Sequence, residues 1–233
     1  MTNRIHPTAI IGAQVELGDN NIIGPYSVIV GPARIGDNNW IGPHASIGTP
    51  AEVRGGPHPV GWEGEADGPG VFIGSGNIIR EFVTVNQGWA DHTFVGDDCY
   101  LLARSHVGHD CHLRNSVTLA DAVQLGGHTY VWSWANIGMG TVVHQRSLVG
   151  PGAMIGMGSA VRKDVPAFTI TVGNPARVTG VNAVGLSRRG CSDEIVEAFG
   201  QHLAGKGEIP DNLPPELADE LKAWFQLLAD GKM

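Results

Sequence analysis

Aliphatic residues recur at every sixth position along most of the chain. Ile11, Leu17, Ile23, Ile29, Ile35, Ile41 and Ile47 form a first run, and Ile73, Ile79 and Val85 a second. A third runs unbroken through Val95, Leu101, Val107, Leu113, Leu119, Leu125, Val131, Ile137, Val143, Val149, Ile155 and Val161. Neither the helical period of about 3.6 nor the strand period of 2 produces a pure period of six. Hexapeptide repeats instead predict a parallel β-helix, in which each repeat supplies one flat face of a prism. Three faces make a turn, so residues eighteen apart are expected to stack at about 4.8 Å, the inter-strand spacing. A glycine often follows the aliphatic directly, as at Gly12, Gly18, Gly36, Gly48, Gly96, Gly126, Gly138 and Gly156. Small residues with permissive backbone dihedrals are expected to turn the corners.

The beat breaks twice and then stops. Between Ile47 and Ile73 lies a Gly- and Pro-rich stretch, and the two boundaries stay in phase once a twenty-residue excursion is removed. It predicts a loop over about 49–72, of the length that is usually functional or disordered. Four residues are added between Val85 and Val95, predicting a smaller loop over about 86–94. The beat ends at Asp164-Val165-Pro166, which divides the chain into a β-helix over 1–165 and a remainder over 166–233. In that remainder, a connecting segment leads to Ser192, which reads as the N-cap of a helix to about Leu203. A second helix is expected from Pro214 to Ala229. Its stripe of Leu217, Leu221, Trp224, Phe225 and Leu228 is expected to pack against the coil or a neighbouring subunit. The fold class is therefore mainly β, with a small α-helical C-terminal region.

Composition narrows this further. At 233 residues there is room for one large domain and a small appendage. The 34 glycines would allow disorder, but 42% hydrophobic content and the strict beat oppose it. Three cysteines (Cys99, Cys111, Cys191) with no CxxC pair point to reduced thiols and a cytoplasmic address. No secretory segment opens the chain and no run of eighteen apolar residues occurs, so no integral membrane segment is expected.

Phase also assembles a candidate site. Val107, Leu125 and Val143 are eighteen apart, and His106, His109, His128 and His144 lie between one residue before and three after them. His109, Gly127 and Gln145 share the position two residues after the stacked aliphatic. Three readings compete for these four imidazoles: surface decoration, a zinc site built from imidazoles as in the γ-class carbonic anhydrases, or acid–base catalysis by one histidine. His109-Asp110 favours the last, because a neighbouring carboxylate holds an imidazole's tautomer as a general base requires. Gly127 offers a main-chain N–H without a side chain in the way, suited to an oxyanion. Cys111 reads as a small buried hydrophobe rather than a nucleophile.

Several segments resemble those of the UDP-N-acetylglucosamine acyltransferases. They are Ile78–Asn86, His106-Val107-Gly108-His109-Asp110-Cys111, Leu125-Gly126-Gly127-His128, Val143-His144-Gln145, Asp164-Val165-Pro166, Gly173-Asn174-Pro175 and Gly180-Val181-Asn182 through Arg188-Arg189-Gly190. The resemblance implies a left-handed parallel β-helix of hexapeptide repeats, assembled as a homotrimer with active sites between subunits. It implies transfer of a fatty acyl chain, often 3-hydroxylated, from acyl carrier protein to the 3-hydroxyl of UDP-N-acetylglucosamine, the first step of lipid A synthesis. His109 then resembles the general base, Asp110 its partner and Gly127 the oxyanion donor. His106, His128, His144 and Gln145 match positions lining the sugar and acyl site. Asn182 and Arg188, with Arg189 beside them, fall where the family meets the nucleotide, and a guanidinium suits a diphosphate. No cofactor and no metal is implied, the acyl-carrier thioester being a co-substrate.

Arg146, Arg162, Lys163, Arg177, Arg188 and Arg189 fall in one stretch of a chain whose net charge is −8, which suits an acidic carrier protein or a diphosphate. Nucleic acid is not an expected partner, since neither a basic balance nor an aromatic-interleaved patch is present. The chain departs from the family at Thr49-Pro50-Ala51-Glu52-Val53-Arg54 and at Gln87-Gly88-Trp89, which leaves N-acylation of an amino nucleotide sugar as an alternative. Met157 stands where long-chain members carry glycine, and its bulk is expected to favour shorter acyl chains.

Overall fold

The computed structural model describes residues 2–58 and 67–230. Its main body is the expected left-handed parallel β-helix, whose three sheets form the faces of a prism. The first sheet runs from Arg4–Ile5 through Ile22–Ile23, Trp40–Ile41, Ile78–Ile79, Tyr100–Leu101, Thr118–Leu119 and Asn136–Ile137 to Met154–Ile155. The second contains Ser46–Thr49, Thr84–Asn86, His106–Val107, Gln124–Leu125 and Val142–Val143. The third contains Ala33–Ile35, Val71–Ile73, Thr93–Val95, His112–Leu113, Tyr130–Val131 and Leu148–Val149. Register follows the eighteen-residue rule, with Val107 opposite Leu125 and Leu125 opposite Val143.

From Ile23 onward every aliphatic of the beat is buried along the prism axis, while Ile11 and Leu17 at the open first coil are partly exposed. Burying an aliphatic side chain of this size stabilises by about 1.5–3 kcal/mol. The two excursions leave the aliphatic register intact, with Ile35 opposite Ile73 and Ile73 opposite Val95, and a one-residue slip at their stems, where Asn86 pairs with Thr49. Of the long loop, 59–66 lies outside the described residues.

The corners differ from the expectation in a physically informative way. The residue three after most of the aliphatics takes the left-handed conformation, and it is mostly not glycine: φ is 57° at Asp110, 59° at His128 and 61° at Arg146. The glycine directly after the aliphatic answers a different need. A Cβ on Gly126 would lie 2.7 Å from the Gln145 nitrogen on the next coil, so glycine is there because stacked backbones approach closely. The intervening residue is proline at Pro7, Pro25, Pro43 and Pro151, which marks its N–H as one the ladder does not need.

Beyond the prism the polar backbone is still paired into the first sheet. Thr169–Gly173 adds in parallel to Met154–Ile155, and Ala176–Val181 returns antiparallel to it, a hairpin that six-residue periodicity does not register. Three helices follow: α1 (Ala183–Arg188), which the sequence reading missed, α2 (Asp193–Leu203), capped by Ser192 as expected, and α3 (Pro215–Ala229). Leu217 and Leu221 of α3 pack with Phe168 and Phe199, and Trp224 meets Trp132 edge-on at 5.5 Å. Phe225 and Leu228 of the same stripe stay exposed. Among the described residues, no helix is long and apolar enough to cross a membrane.

Candidate active site

The corner between the second and third sheets carries the histidine cluster. His109 follows the strand His106–Val107, and its Nδ1 lies 2.6 Å from Asp110 Oδ2. Asp110 is buried, and its two oxygens also accept the main-chain N–H groups of Trp89 (3.0 Å), Ala90 (2.8 Å) and Asp91 (2.7 Å). Burial alone pushes this carboxyl's pKa up. The hydrogen bonds from Asp91, from the His109 ring, and from Trp89 and Ala90 outweigh it and hold the group below its ordinary value. An ionised Asp110 accepts from Nδ1–H, which leaves Nε2 of His109 with its lone pair free to take a proton.

Nε2 lies over Gly127. A Cβ at that position would sit 2.5 Å from it, so this glycine makes room for the imidazole. Gly127 also occupies the corner position where proline stands elsewhere, so its N–H is not part of the coil's ladder. His128 meets His109 edge-on with ring centroids 5.1 Å apart, and its Nε2 is 3.7 Å from Asp110 Oδ2. Burial lowers its pKa, with Arg146 and His109 adding to the effect against Asp110. His106 joins from the adjacent strand, with Nδ1 2.8 Å from Thr84 Oγ1 and Nε2 3.6 Å from Glu52 Oε2; burial lowers its pKa too. His144 is exposed, with Nδ1 3.0 Å from the Gln145 carbonyl oxygen. Burial pushes the Cys111 thiol up to about 12, which removes it as a nucleophile at neutral pH.

His109, Asp110 and His128 offer ligand atoms within 4.8 Å of one another, close enough for a cation. Both Asp110 oxygens, however, are already engaged by four donors, leaving two imidazoles where zinc wants three or four ligands.

The remaining candidates sit on other edges. Arg188 is exposed and lines a cavity of about 500 Å³ over the first sheet, with Ser116, Trp134, Asn136 and Arg189. Arg189 lies over the Trp134 ring at 4.5 Å. Asn182 caps α1: its Oδ1 accepts from Gly185 N–H (3.0 Å) and its Nδ2 donates to the Gly152 oxygen (2.9 Å). Met157 stands 78% exposed at the corner between the first and second sheets. One chain therefore brings His106, His109, Asp110, Gly127 and His128 together, with His144 and Gln145 on the next coil. It leaves Asn182, Arg188, Arg189 and Met157 apart from them. Glu52 and the turn at Trp89–Asp91 were not among the expected site residues; their segments were visible as breaks in the beat and as departures from the family pattern.

Comparison with known proteins places this architecture. Residues 164–202 match the family described as UDP-N-acetylglucosamine O-acyltransferase, domain 2. An acyl-[acyl-carrier-protein]–UDP-N-acetylglucosamine O-acyltransferase of Pseudomonas putida (strain W619) is 40% identical over 132 residues, covering 55% of this chain and 51% of that protein. Its counterpart in a Synechocystis species is 44% identical over 133 residues, covering 56% and 48%. The chain thus spans about half the length of the curated relatives it matches. The solved UDP-N-acetylglucosamine acyltransferase of Bacteroides fragilis aligns with a TM-score of 0.74 at 30% identity, over 95% of this chain and 89% of that one. With a prism of this register and a solved relative matched over nearly its whole length, the chain belongs to the UDP-N-acetylglucosamine acyltransferase family.

Proposed function

We propose that this protein transfers a (3-hydroxy)acyl chain from acyl carrier protein to the 3-hydroxyl of UDP-N-acetylglucosamine or a related nucleotide sugar. The observation that carries the reading is the 2.6 Å contact between His109 Nδ1 and a buried, ionised Asp110, with Gly127 under the opposite ring nitrogen. His109 Nε2 takes the proton of the sugar hydroxyl as its oxygen attacks the thioester carbonyl. The Gly127 N–H stabilises the oxyanion. The tetrahedral intermediate collapses with loss of the carrier's thiolate, which takes up the proton from His109. Arg188 serves the diphosphate, and the exposed Arg162 and Lys163 suit an acidic carrier protein in the cytoplasm. Because Arg188 and Met157 lie on different edges of the prism from His109, the reading includes a homotrimer in which a neighbour's edge completes each site.

One observation favours transfer to an amino sugar as a second reading. Glu52, in the segment that departs from the family pattern, brings a carboxylate to His106 at the rim of the site, where it would attract an ammonium-bearing acceptor.

The test is mass-spectrometric detection of acyl transfer from a ladder of 3-hydroxyacyl and plain acyl carrier proteins to UDP-N-acetylglucosamine and to its 3-amino analogue. Ester product supports the main reading, and amide product alone supports the second. Loss of general-base help is expected to lower kcat of His109→Ala by about a hundred- to ten-thousandfold in a folded oligomer. An unchanged rate refutes the assignment.

A further inference from the structure

The four residues added between Val85 and Val95 form a turn whose main chain faces a single group. Gly88 N–H and Thr93 N–H both reach the Gly70 oxygen at 3.1 Å, closing the turn at its base. Gln87 N–H donates to the Thr49 oxygen (2.9 Å) and Asn86 Nδ2 to the Pro50 oxygen (2.8 Å), so the turn is fastened to both stems of the long excursion. From this platform three successive N–H groups, of Trp89, Ala90 and Asp91, converge on Asp110. Converging main-chain N–H groups form an anion-binding concavity, and here the anion is the carboxylate that holds His109. Thr93 Oγ1 also accepts the Asp110 N–H (2.9 Å), so the turn grips this residue from both sides. The turn is itself held in shape. A Cβ on Gly88 would collide with the Asp91 carbonyl oxygen. Asp91 Oδ1 accepts the His92 N–H at 2.7 Å and lies 2.8 Å from His92 Nδ1, while the His92 ring packs 4.5 Å from Phe72 and 5.3 Å from His112.

We propose that the turn 88–91 is the positioning element of the dyad: its three N–H groups fix the rotamer of Asp110, and through it the direction in which His109 presents Nε2. The proposal rests on the acyl-transfer reading in taking His109 as the base. Gly88 and Asp91 are its positioning residues, acting on His109 through Asp110. Were Asp110 simply a cap for the turn, loosening the turn would leave the His109–Asp110 hydrogen bond unchanged.

The experiment compares Gly88→Ala, Asp91→Ala, Asp91→Asn and Asp110→Asn in the full chain. It reads steady-state acyl transfer and the strongly downfield proton resonance of a histidine Nδ1–H bonded to a carboxylate. Asp110→Asn assigns the resonance by abolishing it. Gly88→Ala and Asp91→Ala are expected to lose it and to lower kcat by about a hundredfold, the scale of a misplacement near 1 Å, with KM for the acyl donor little changed. Asp91→Asn keeps an acceptor oxygen for His92 and is expected to restore both readouts. Folded Gly88→Ala and Asp91→Ala proteins that keep the resonance and the wild-type kcat overturn the proposal, as does a wild type without the resonance. If Gly88→Ala does not fold, Asp91→Ala decides alone, since it removes atoms and adds none. A wild type without acyl transfer would defeat the functional reading, while the resonance still decides the positioning.

Discussion

At the scale of the residue, Gly127 shows how one position serves two requirements. Its missing side chain leaves the space that the His109 ring fills, and its N–H is one the coil ladder leaves unused. Gly127→Ala puts a methyl group against Nε2, and the ring must swing away from Asp110. The expected outcome is a loss of kcat of about a hundredfold with little change in thermal stability, since the cost falls on a ring at the surface of the coil rather than on its core. Parallel activity and melting measurements check this; a fall in stability matching the fall in activity would mean that the glycine serves the coil alone. Asp110 carries a related tension, because it occupies a left-handed corner position at φ 57°, a conformation that costs a non-glycine residue roughly 1–2 kcal/mol. Its hydrogen bonds to three main-chain N–H groups and one imidazole offset that strain.

At the scale of the element, a strand of two residues has no independent stability, and the coil holds together only through its neighbours. Side-chain ladders at the corner between the third and first sheets supply part of that cohesion. Asn21 Oδ1 accepts from Asn39 N–H, Asn39 Oδ1 from Asn77 N–H, and Asn77 Oδ1 from Cys99 N–H. Asn39 Nδ2 also donates to the Gly74 oxygen at 2.9 Å. Asn39→Ala leaves a buried donor and acceptor without partners, which costs about 1–3 kcal/mol. Denaturant unfolding at fixed protein concentration is expected to show a lower midpoint with the slope unchanged. A midpoint equal to wild type would mean that water takes the amide's place. The helices are anchored to the same prism: Glu220 of α3 accepts the Ser133 N–H and lies 3.5 Å from Arg114, whose guanidinium sits 4.4 Å over the Trp132 ring.

At the scale of the whole molecule, the candidate site residues are divided among edges of the prism, and a prism cannot fold its edges onto one another. If neighbouring subunits complete the site, His109 and Arg188 need not come from the same chain. Mixing inactive His109→Ala protein with weakened Arg188→Ala protein, after dissociation and reassembly, is then expected to restore part of the activity, through sites that draw His109 from one parent and Arg188 from the other. Mixtures no more active than the average of the parents would mean that each chain builds its site alone.

Much of this was legible in the chain itself, because a repeat of six is a local instruction copied many times. Stacking residues eighteen apart fixes register, so the aliphatic axis, the phased corner of His106, His109, Gly127 and His128, and the Ser192 cap could all be read before any contact was known. What escaped did so for separate physical reasons. The hairpin Thr169–Val181 and α1 lie beyond the repeat, where short segments carry weak periodicity. The corner glycines were assigned to backbone freedom, whereas the approach of the next coil explains Gly126, a distance that no single repeat encodes. The turn at Trp89–Asp91 acts on Asp110 through main-chain N–H groups, which every residue but proline possesses, so side-chain identity leaves no trace of it. Sequence determined the prism and the phase of its chemistry because both follow from a period; tertiary structure alone decided which backbone grips the carboxylate and where Arg188 lies, because the turn that holds Asp110 and the chain beyond Val161 stand outside that period.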